Sequence, residues 1–412
     1  MSSRGRRRSG SATGLTPALG KALVGWFATH RRALPWRRDR DPYRIWVAEV
    51  LLQQTRVAQA APYFGRFVAR FPTVASLARA PLEDVLRVWQ GAGYYARARH
   101  LWAAARELVE RRGGRLPTTV PELEALPGIG PYVARAVASL AFDAPVVALE
   151  ANGLRVAARC TLETGDVRRA SVRSRLGAAL ATAVPPGRSA EFNEGLMELG
   201  ETICRPAAPL CVRCPLRGHC RAYRETGDPA SFPRRPPPVR RPHVRAALAV
   251  VRWGDRWLVQ RRAPTGLLGG LWEFPGGKIA VGERPVDAAR RELREETGLE
   301  VGRLVARGVV RHGYSHFTVE LHVFEGTLDR ARAPRGPRRW VTPAELGRLP
   351  IPKATEKVLA LVGAEPGGTA SRGSGSRPGR TRASPSGGPR GPRARSPARR
   401  TGSSASPRRA RS

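Results

Sequence analysis

The stretch LPGIGPYVARAVASLAF, residues Leu126–Phe142, places two glycines between two helical apolar patterns. Glycine adopts positive φ and lets other atoms approach closely, so Gly128 and Gly130 allow a tight hairpin to present backbone N–H groups and a helix N-terminus to a phosphate. A plain helix–helix turn has the same glycine pattern. The stretch therefore predicts a helical hairpin, and the sequence on either side of it decides what the hairpin contacts.

The chain around this hairpin divides into two structural classes. Residues 15–225 alternate helical apolar patterns with short Pro or Gly breaks such as LPWRRDRDP and LPTTVPEL, which predicts an all-α domain. The segment PASFPRRPPPVRRPH cannot continue a helix and predicts a linker. Beyond it, VRAALAVVRWGDRWLVQRR and GYSHFTVELHVFEG alternate like strands around the helical PVDAARRELREETG, which predicts an α/β domain. The predicted boundaries are a disordered basic arm over 1–14, the helical domain over 15–225, the linker over 226–243, the α/β domain over 244–362 and a disordered basic tail over 363–412.

The charge balance of the chain indicates a polyanionic partner. Lys and Arg number 72 against 33 Asp and Glu, which gives a formal net charge of +39. A GC-rich genome explains why most of the cations are Arg but not why cations are in such excess, and nucleic acid is the simplest partner for that excess. The sequence has no apolar run of about 18 residues and no apolar region near its start, so we expect neither membrane insertion nor secretion. We expect a cytoplasmic, nucleoid-associated bacterial protein that acts as a monomer.

Four of the five cysteines lie close together in CRPAAPLCVRCPLRGHC, at Cys204, Cys211, Cys214 and Cys220. In a reducing compartment this argues for metal ligation or burial rather than for disulfides. The spacing C-x6-C-x2-C-x5-C forces a compact loop whose thiolates can converge on one metal centre. A structural zinc ion and an iron–sulfur cluster both accept four cysteine ligands. Cys160 lies outside the loop, and we expect it to be a buried core thiol.

The cysteine spacing resembles the [4Fe–4S] loop of the endonuclease III and MutY group of DNA glycosylases, and the hairpin resembles the helix-hairpin-helix element of the same superfamily. The strings LPWR at 34–37, RIWVAEVLLQQT at 44–55 and PYFGRFVARFPTVASLARAPLEDVLRVWQGAGYYARAR at 62–99 resemble the adenine glycosylase (MutY) family. The resemblance covers residues 20–225 nearly continuously. It implies an all-α helix-hairpin-helix glycosylase domain with a [4Fe–4S] loop over 204–220, and contacts by Gly128 and Gly130 that position DNA without reading its sequence.

Glu49 is a carboxylate inside the apolar helical run RIWVAEVLLQQT. One acid per turn is ordinary on a helix surface, but its apolar neighbours favour a desolvated carboxyl group, whose raised pKa suits a general acid. The resemblance implies that Glu49 protonates adenine and then assists water. It also implies that Gln54, Thr55 and Tyr94 wedge into the DNA stack beside the flipped nucleotide. Without the resemblance, these three residues read as polar residues at a helix end and a core aromatic.

A second carboxylate, Glu150, ends the apolar, strand-like run of VVALEANGLRV at 146–156. Cleavage of an N-glycosidic bond gives the sugar oxocarbenium character, which a nearby carboxylate stabilises. Counted back from Asn152 and Arg155, Glu150 falls where the family carries an essential Asp, and we expect Glu150 and Asn152 in the catalytic set. The Glu side chain is longer by one methylene, and a misplacement of about 1 Å costs on the order of a hundredfold in rate. Either the local backbone compensates or the enzyme is slowed.

Tyr132 stands where lyase members of the superfamily place a Schiff-base lysine, and we expect it in the catalytic set. No lysine occurs between Lys21 and Lys278, so an amine-driven β-lyase reaction has no obvious nucleophile in the helical domain. This favours a monofunctional glycosylase over one alternative, an endonuclease III type lyase. Another alternative is a lesion-binding protein whose catalysis is weakened by the change at Glu150.

The segment GGKIAVGERPVDAARRELREETGL at 276–299 fits the Nudix box, G-x5-E-x7-R-E-U-x-E-E-x-G-U, at every fixed position. Glu292, Glu295 and Glu296 are spaced i, i+3, i+4, so their carboxylates share one helix face and can hold Mg²⁺ against a pyrophosphate. A helix face of paired charges explains any three of these residues, but not the whole box. The box predicts a Nudix fold for the α/β domain.

The resemblance of this second domain has two layers. MutY proteins carry a Nudix-like C-terminal domain that reads 8-oxoguanine, and HGYSH at 312–316 resembles its lesion-reading loop, which implies lesion contacts by Tyr314, Ser315 and His316. The intact box also resembles the MutT 8-oxo-dGTP pyrophosphohydrolase, so a Mg²⁺-dependent nucleotide hydrolase is a further alternative. The two resemblances together imply base excision repair, in which adenine mispaired with 8-oxoguanine or guanine is removed from double-stranded DNA while the linker lets the two domains close on the duplex.

Overall fold

The computed structural model describes residues 15–234, 240–330 and 336–363. The predicted arm over 1–14, the predicted tail beyond Gly363 and the middle of the predicted linker lie outside these ranges. In the described ranges, no helix is long and apolar enough to cross a membrane.

The first part of the chain folds as helices joined by short turns, which confirms the predicted all-α class. Prolines stand in the first turn of several helices, where a missing N–H leaves no hydrogen bond unmade. Asp41 caps one helix, because its Oδ1 accepts the N–H of Arg44 at 2.8 Å. The helices are α1 Pro17–His30, α2 Pro42–Leu52, α3 Val57–Arg70, α4 Val74–Arg79, α5 Leu82–Val88, α6 Ala96–Arg112, α7 Val120–Glu124, α8 Pro131–Phe142, α9 Ala151–Thr161, α10 Ala170–Ala181 and α11 Ser189–Thr202.

The hairpin predicted from LPGIG lies between α7 and α8. Gly128 has φ +74°, and a Cβ placed on it would lie 2.3 Å from Cβ of His100, so both its conformation and its surroundings require glycine. Gly130 differs, because its φ is −89° and a Cβ there would meet open space. Only Gly128 therefore needs the conformational freedom that the sequence suggested for both, while Gly130 stands at the N-cap of α8.

The helical domain has two hydrophobic cores. One is built around α2, α3, α6 and α8 and contains Trp46, Phe64 and Val133, while the other joins α1 to α9, α10 and α11 and contains Leu23 and Leu196. α2 packs against α8, and α11 contacts both α8 and α9. The end of α2 and the starts of α8 and α9 therefore come together between the two cores, and these three elements carry the expected catalytic residues.

The last part of the chain is the predicted α/β domain. β1 runs parallel to β6, the other strand pairs are antiparallel, and the order is β3-β2-β1-β6-β5, with β4 on β1 and β7 on β2. Alternate residues of β1 face opposite sides, so Ala249 packs under α12 while Val250 packs under α14. The elements are β1 His243–Trp253, β2 Arg256–Arg261, β3 Trp272–Glu273, β4 Gly276–Lys278, α12 Pro285–Thr297, β5 Val305–Gly313, β6 Thr318–Thr327, β7 Arg338–Val341, α13 Pro343–Leu346 and α14 Lys353–Leu361.

The two domains pack directly on each other. Leu271, just before β3, is fully buried in the core of the helical domain. Nε1 of Trp272 donates to Oε1 of Glu83 at 2.9 Å, and Nη1 of Arg99 donates to the carbonyl of Gly269 at 2.7 Å. Buried apolar and polar contacts therefore hold the two domains together in addition to the predicted linker.

Candidate active site

Glu49 lies on α2 with a side chain that the fold removes from water. The residue is 3 % exposed, which confirms the desolvation expected from its apolar neighbours. The hydroxyl of Tyr132, on the first turn of α8, donates to Oε2 of Glu49 at 2.6 Å. Packing of α2 against α8 thus joins two of the expected catalytic residues that are far apart in the sequence.

The protonation of Glu49 is set by several opposing effects. Burial is the main cause that raises its pKa to about 7, and the nearby negative charges of Glu150 and Glu194 raise it further. The hydrogen bond from Tyr132 and the positive charge of Arg37 lower it. At neutral pH a large fraction of Glu49 therefore carries its proton. A buried carboxylic acid with a pKa near the working pH is suited to act as a general acid.

Glu150 both caps a helix and faces the same site. It is the N-cap of α9, and its carboxylate accepts the N–H groups of Asn152 at 2.6 Å and Gly153 at 2.8 Å. Burial raises the pKa of Glu150, while these two backbone hydrogen bonds oppose the rise. Glu150 therefore has fixed donors that stabilise its charged form.

The apolar run before Glu150 forms no strand, although its composition is strand-like. Asn193, buried on α11, replaces the missing strand partner: its Nδ2 donates to the carbonyl of Val146 at 2.9 Å and its Oδ1 accepts the N–H of Ala148 at 2.8 Å. One amide thus holds the extended segment that delivers Glu150 to the site. The sequence reasoning did not identify Asn193, because an isolated Asn on a helix gives no local signal.

The side chain of Asn152 lies in a chain of hydrogen bonds that leads toward the cysteine loop. Its Oδ1 accepts from Nη2 of Arg155 at 2.7 Å, and Nε of Arg155 donates to the carbonyl of Cys204 at 2.8 Å. A Cβ on Gly200 would lie 2.5 Å from Cβ of Asn152, so α9 and α11 approach very closely here. In this structure the side chain of Asn152 links the start of α9 to the cysteine loop, and its catalytic role stays a prediction.

A cavity of about 120 Å³ opens beside Glu49. Arg37 lines it and donates from Nε to Oε1 of Glu194 at 2.9 Å and from Nη1 to Oε2 of Glu198 at 2.8 Å. Burial raises the pKa of Glu194 against the opposing effect of Arg37. Trp36 and other apolar side chains complete the walls. The cavity thus offers a flat ring apolar surfaces and several polar groups, and the sequence indicated part of its lining through the strings LPWR and RIWVAEVLLQQT.

The four cysteines of the loop lie after α11, where two short helical turns follow at Cys211–Arg213 and Arg217–His219; Cys211 begins the first turn, and Cys214 and Cys220 directly follow the first and second turns. Arg159, which is 1 % exposed, donates from Nη1 to Sγ of Cys204 at 3.2 Å, and burial raises the pKa of Cys204 and Cys214. Within 15–234, 240–330 and 336–363, no three His, Cys, Asp or Glu side chains are arranged as a group that could hold a metal ion. The donor set fits a metal centre by its chemistry, and Cys160 is the buried core thiol expected.

The expected wedge residues stand on two turns, of which the one with Tyr94 contacts the second domain. Gln54, with φ +59°, and Tyr94, with φ +49°, adopt left-handed backbone conformations that residues other than glycine rarely take. Thr55 follows on the same turn, where its N–H donates to the carbonyl of Leu52 at 3.2 Å. Tyr94 is only partly buried, so it is not a core aromatic. Its hydroxyl donates to Oγ of Ser315.

The expected lesion-reading residues face two different ways. Ser315 and His316 are exposed, and the ring of His316 lies edge-on to Tyr94 with ring centroids 6.3 Å apart. Tyr314 is half-buried between His312, at 4.6 Å, and Phe317, at 4.9 Å, and burial raises its pKa to about 12. The fold therefore places Ser315 and His316 beside the wedge residue Tyr94, whereas Tyr314 supports the turn from within.

The Nudix-box carboxylates do not all converge on one point. Glu292 and Glu296 line a cleft of about 770 Å³ in the α/β domain, whereas the side chain of Glu295 is 57 % exposed and pairs with Arg291 at 3.1 Å. Arg291 also pairs with Glu292 at 2.9 Å, and Oε2 of Glu296 accepts the N–H of Gly276 at 2.9 Å. Glu292 and Glu296 thus face the cleft while Glu295 pairs with Arg291 at the surface, and the three-carboxylate magnesium site stays a prediction.

Known proteins resemble this chain over both domains. The model for the HhH-GPD superfamily of base excision DNA repair proteins matches residues 47–181, and the NUDIX domain model matches residues 246–361. The adenine DNA glycosylase of Mus musculus is 35 % identical, covering 82 % of this chain and 76 % of that protein. The adenine DNA glycosylase of Homo sapiens is 32 % identical, covering 84 % of this chain and 74 % of that protein. A solved thermostable thymine-DNA glycosylase aligns with a TM-score of 0.46 at 28 % identity over 50 % of this chain and 96 % of that one.

Proposed function

Since this chain belongs to the adenine DNA glycosylase family, we propose that it hydrolyses the N-glycosidic bond of adenine in duplex DNA with Glu49 as the proton donor. The observation that carries this assignment is the buried Glu49, with a pKa raised to about 7, hydrogen-bonded to Tyr132 beside a cavity lined by Trp36 and Arg37. An adenine that is flipped out of the stack fits such a cavity because it is flat and carries several hydrogen-bonding edges.

In the first step, Glu49 donates its proton to a ring nitrogen of adenine. The bond between the sugar and the base then breaks, both electrons leave with the base, and the sugar takes up positive charge. Water adds to the sugar carbon, and the Glu49 carboxylate accepts the proton that the water loses. Glu49 is thereby restored, and the products are free adenine and an abasic site.

Glu150 is the carboxylate that stays charged and stabilises the sugar cation. Two carboxyl groups in one site take different roles when their environments separate their pKa values. Burial raises the pKa of both carboxyl groups, but Glu150 accepts two backbone N–H groups that favour its ionised form, whereas Glu49 accepts one tyrosine hydroxyl. The capping of α9 by Glu150 supports this role, because the two backbone N–H groups hold the longer Glu side chain in one position.

The base opposite the adenine is read where the two domains meet. Tyr94 contacts Ser315 and His316, so the wedge and the reading segment would both reach the same partner base of a duplex. This arrangement supports 8-oxoguanine, or guanine, as the partner of the adenine. A single chain contributes both groups, which supports a monomer, and its formal charge of +39 supports a cytoplasmic protein bound to the nucleoid.

The reaction ends at the abasic site. Tyr132 occupies the position expected for a lyase lysine, and it is engaged with Glu49. The sequence has no lysine between Lys21 and Lys278 that could form a Schiff base in the helical domain. We therefore assign a monofunctional glycosylase rather than a lyase.

Cys204, Cys211, Cys214 and Cys220 would hold a [4Fe–4S] cluster in this family. When bound, such a cluster supplies strong thiolate bonds that fix the fold of the loop. The chain's own contribution is the link from Cys204 through Arg155 to Asn152, which ties the loop to the helix that Glu150 caps. A brown protein with absorbance near 400 nm supports the cluster, whereas a colourless protein that contains zinc refutes it.

A second candidate activity rests on the cleft of about 770 Å³ in the α/β domain. The cleft is lined by Glu292, Glu296 and Lys278 and is large enough for a nucleotide, and Mg²⁺ held there would bring phosphates to it. We test it on the full chain, with 8-oxo-dGTP and Mg²⁺ as reactants and Glu296→Gln as the control. If the wild type forms no more monophosphate than this variant, the domain is not a hydrolase.

The glycosylase assignment is tested by single-turnover cleavage of duplexes that carry adenine opposite 8-oxoguanine or guanine, with and without alkali. Breaks that need alkali support base release by a monofunctional enzyme. Breaks without alkali support a lyase instead, and binding without breaks supports a lesion-binding protein. Glu49→Gln is the control, and release at the wild-type rate by this variant refutes the assignment of Glu49.

A further inference from the structure

Arg97, on the first turn of α6, is 9 % exposed and directs its guanidinium into the helical domain. The two terminal nitrogens donate five hydrogen bonds to main-chain carbonyls. Nη1 reaches Val50 at 2.7 Å, Leu51 at 3.0 Å and Gln53 at 2.7 Å, and Nη2 reaches Ala92 at 3.1 Å and Gly93 at 3.2 Å. One side chain thus binds two separate segments of backbone.

The first of these segments is the end of α2, and the second is the turn that precedes Tyr94. The last carbonyls of a helix have no partner within the helix and carry partial negative charge, so a cation stabilises them. A guanidinium offers several donors in a fixed planar arrangement, which a lysine ammonium cannot reproduce. Arg97 therefore fixes the distance between the two segments as well as the shape of each.

Each segment leads directly into a strained residue. The carbonyl of Gln53 precedes Gln54, which has φ +59°, and the carbonyl of Gly93 precedes Tyr94, which has φ +49°. The guanidinium carbon of Arg97 also lies 5.4 Å from the centre of the Tyr94 ring. Both left-handed turns are thus held by the same side chain.

Burial of the Arg97 cation costs free energy, and this cost lowers the pKa of the guanidinium. Burial lowers the pKa of Arg97 to about 10, and the nearby Tyr94 only partly opposes this effect. A buried charge is retained where polar groups compensate it, and the five carbonyls provide that compensation. Arg97 is therefore held in place by specific hydrogen bonds within the fold, unlike an arginine that lies on the surface.

We propose that Arg97 is a positioning residue that holds the Gln54 and Tyr94 turns in the conformations in which these side chains enter the base stack while adenine is extruded. The inference rests on the proposed DNA-wedging role of Gln54 and Tyr94. It goes beyond that role by naming the single group that couples both turns. Arg97 does not line the cavity beside Glu49, so the proposal places its effect on extrusion and not on bond cleavage.

The test is Arg97→Lys in the full chain. Extrusion is followed by the fluorescence of a 2-aminopurine placed beside the target adenine, opposite a strand with 8-oxoguanine, and base release is measured in single turnover. We expect extrusion and release to fall together by on the order of tenfold to a hundredfold, while the pH midpoint of release stays at the wild-type value. Arg106→Lys is the matched control, because Arg106 is exposed on the same helix and pairs only weakly with Glu110, at 3.5 Å.

A second variant covers the case in which Arg97→Lys fails to fold. Gly93 has φ +74° and Gly113, at the end of α6, has φ +58°, and a Cβ on either would meet nothing within 4 Å. Alanine at either position adds the same kind of backbone strain without a clash. We expect Gly93→Ala to reduce extrusion and Gly113→Ala to leave it unchanged.

The proposal is overturned if Arg97→Lys extrudes adenine as well as Arg106→Lys does, or if Gly93→Ala and Gly113→Ala behave alike. A shift of the pH midpoint in Arg97→Lys also overturns it, because Arg97 would then act on Glu49. A wild-type protein that extrudes adenine but releases none overturns the proposed glycosylase function and leaves this inference standing.

Discussion

Replacing Tyr132 with phenylalanine removes the hydroxyl that donates to the Glu49 carboxylate at 2.6 Å. A hydrogen bond to a charged group contributes about 1.5–3 kcal/mol, and about 1.36 kcal/mol corresponds to one pKa unit. The pKa of Glu49, raised to about 7 by burial in the wild type, should therefore rise by a further 1–2 units, roughly. Glu49 acts in its protonated form, so activity is present below its pKa and is lost as the pH rises through it.

The assay is single-turnover adenine release between pH 5 and pH 10, roughly, with enzyme in excess so that chemistry is observed. The alkaline midpoint of Tyr132→Phe should lie above that of the wild type, with more of the maximal rate retained at high pH. Tyr43→Phe is the matched control, because Tyr43 is a buried tyrosine on α2 whose hydroxyl donates instead to the carbonyl of Phe71 at 2.7 Å. An unchanged or lowered midpoint in Tyr132→Phe would refute the role of this hydrogen bond.

Three further predictions follow from the same contacts. Glu150→Gln should abolish base release, while Glu150→Asp should preserve or raise it. If Glu150→Gln released adenine at the wild-type rate, the second catalytic carboxylate would be a residue other than Glu150. Because burial raises the pKa of Glu49 from 4.5 to about 7, its protonated form favours folding below about pH 4.5, and this contribution is lost as the pH rises through about 7. Glu49→Gln, which stays neutral, should therefore have a free energy of unfolding about 3 kcal/mol higher than the wild type at pH 8 and unchanged at pH 4, as measured by denaturant titration. Glu83→Ala leaves the buried N–H of Trp272 without its acceptor and should lower the free energy of unfolding by about 1–3 kcal/mol. The control Asp84→Ala should change it by less than about 0.5 kcal/mol. Equal effects of the two variants would refute the interdomain role of Glu83.

The division of labour between the two carboxylates follows from their local surroundings. Glu49 is surrounded by apolar side chains of its own helix, and the hydroxyl of Tyr132 is its direct partner. Glu150 stands where a helix begins, and free backbone N–H groups at a helix start stabilise a negative charge. These surroundings support the proposed roles of Glu49 as the acid and of Glu150 as the anion.

Much of the fold was readable from local patterns. Helical and strand-like periodicities gave the two domain classes, because which face of an element is apolar depends on the spacing of residues within it. The strand-like composition of the run before Glu150 did not lead to a strand, because a strand needs a neighbouring strand to pair with, and here the side chain of Asn193 makes the hydrogen bonds instead. The glycine pattern suggested a positive φ at Gly130, but its φ is negative, because the geometry of the folded turn sets φ and a glycine only permits a positive value.

The sequence by itself determined the chemistry available to this protein: an acid in an apolar helix, a second carboxylate, four clustered thiols and no lysine over most of the chain. Only the tertiary structure decided which of these groups meet. Burial within the packed fold raised the pKa of Glu49, packing of α2 against α8 joined Glu49 to Tyr132, and a buried arginine, Arg97, connected two distant turns. Burial and contact between distant segments are properties of the packed chain, because water is excluded only when several elements close over a group, and no local pattern records that closure.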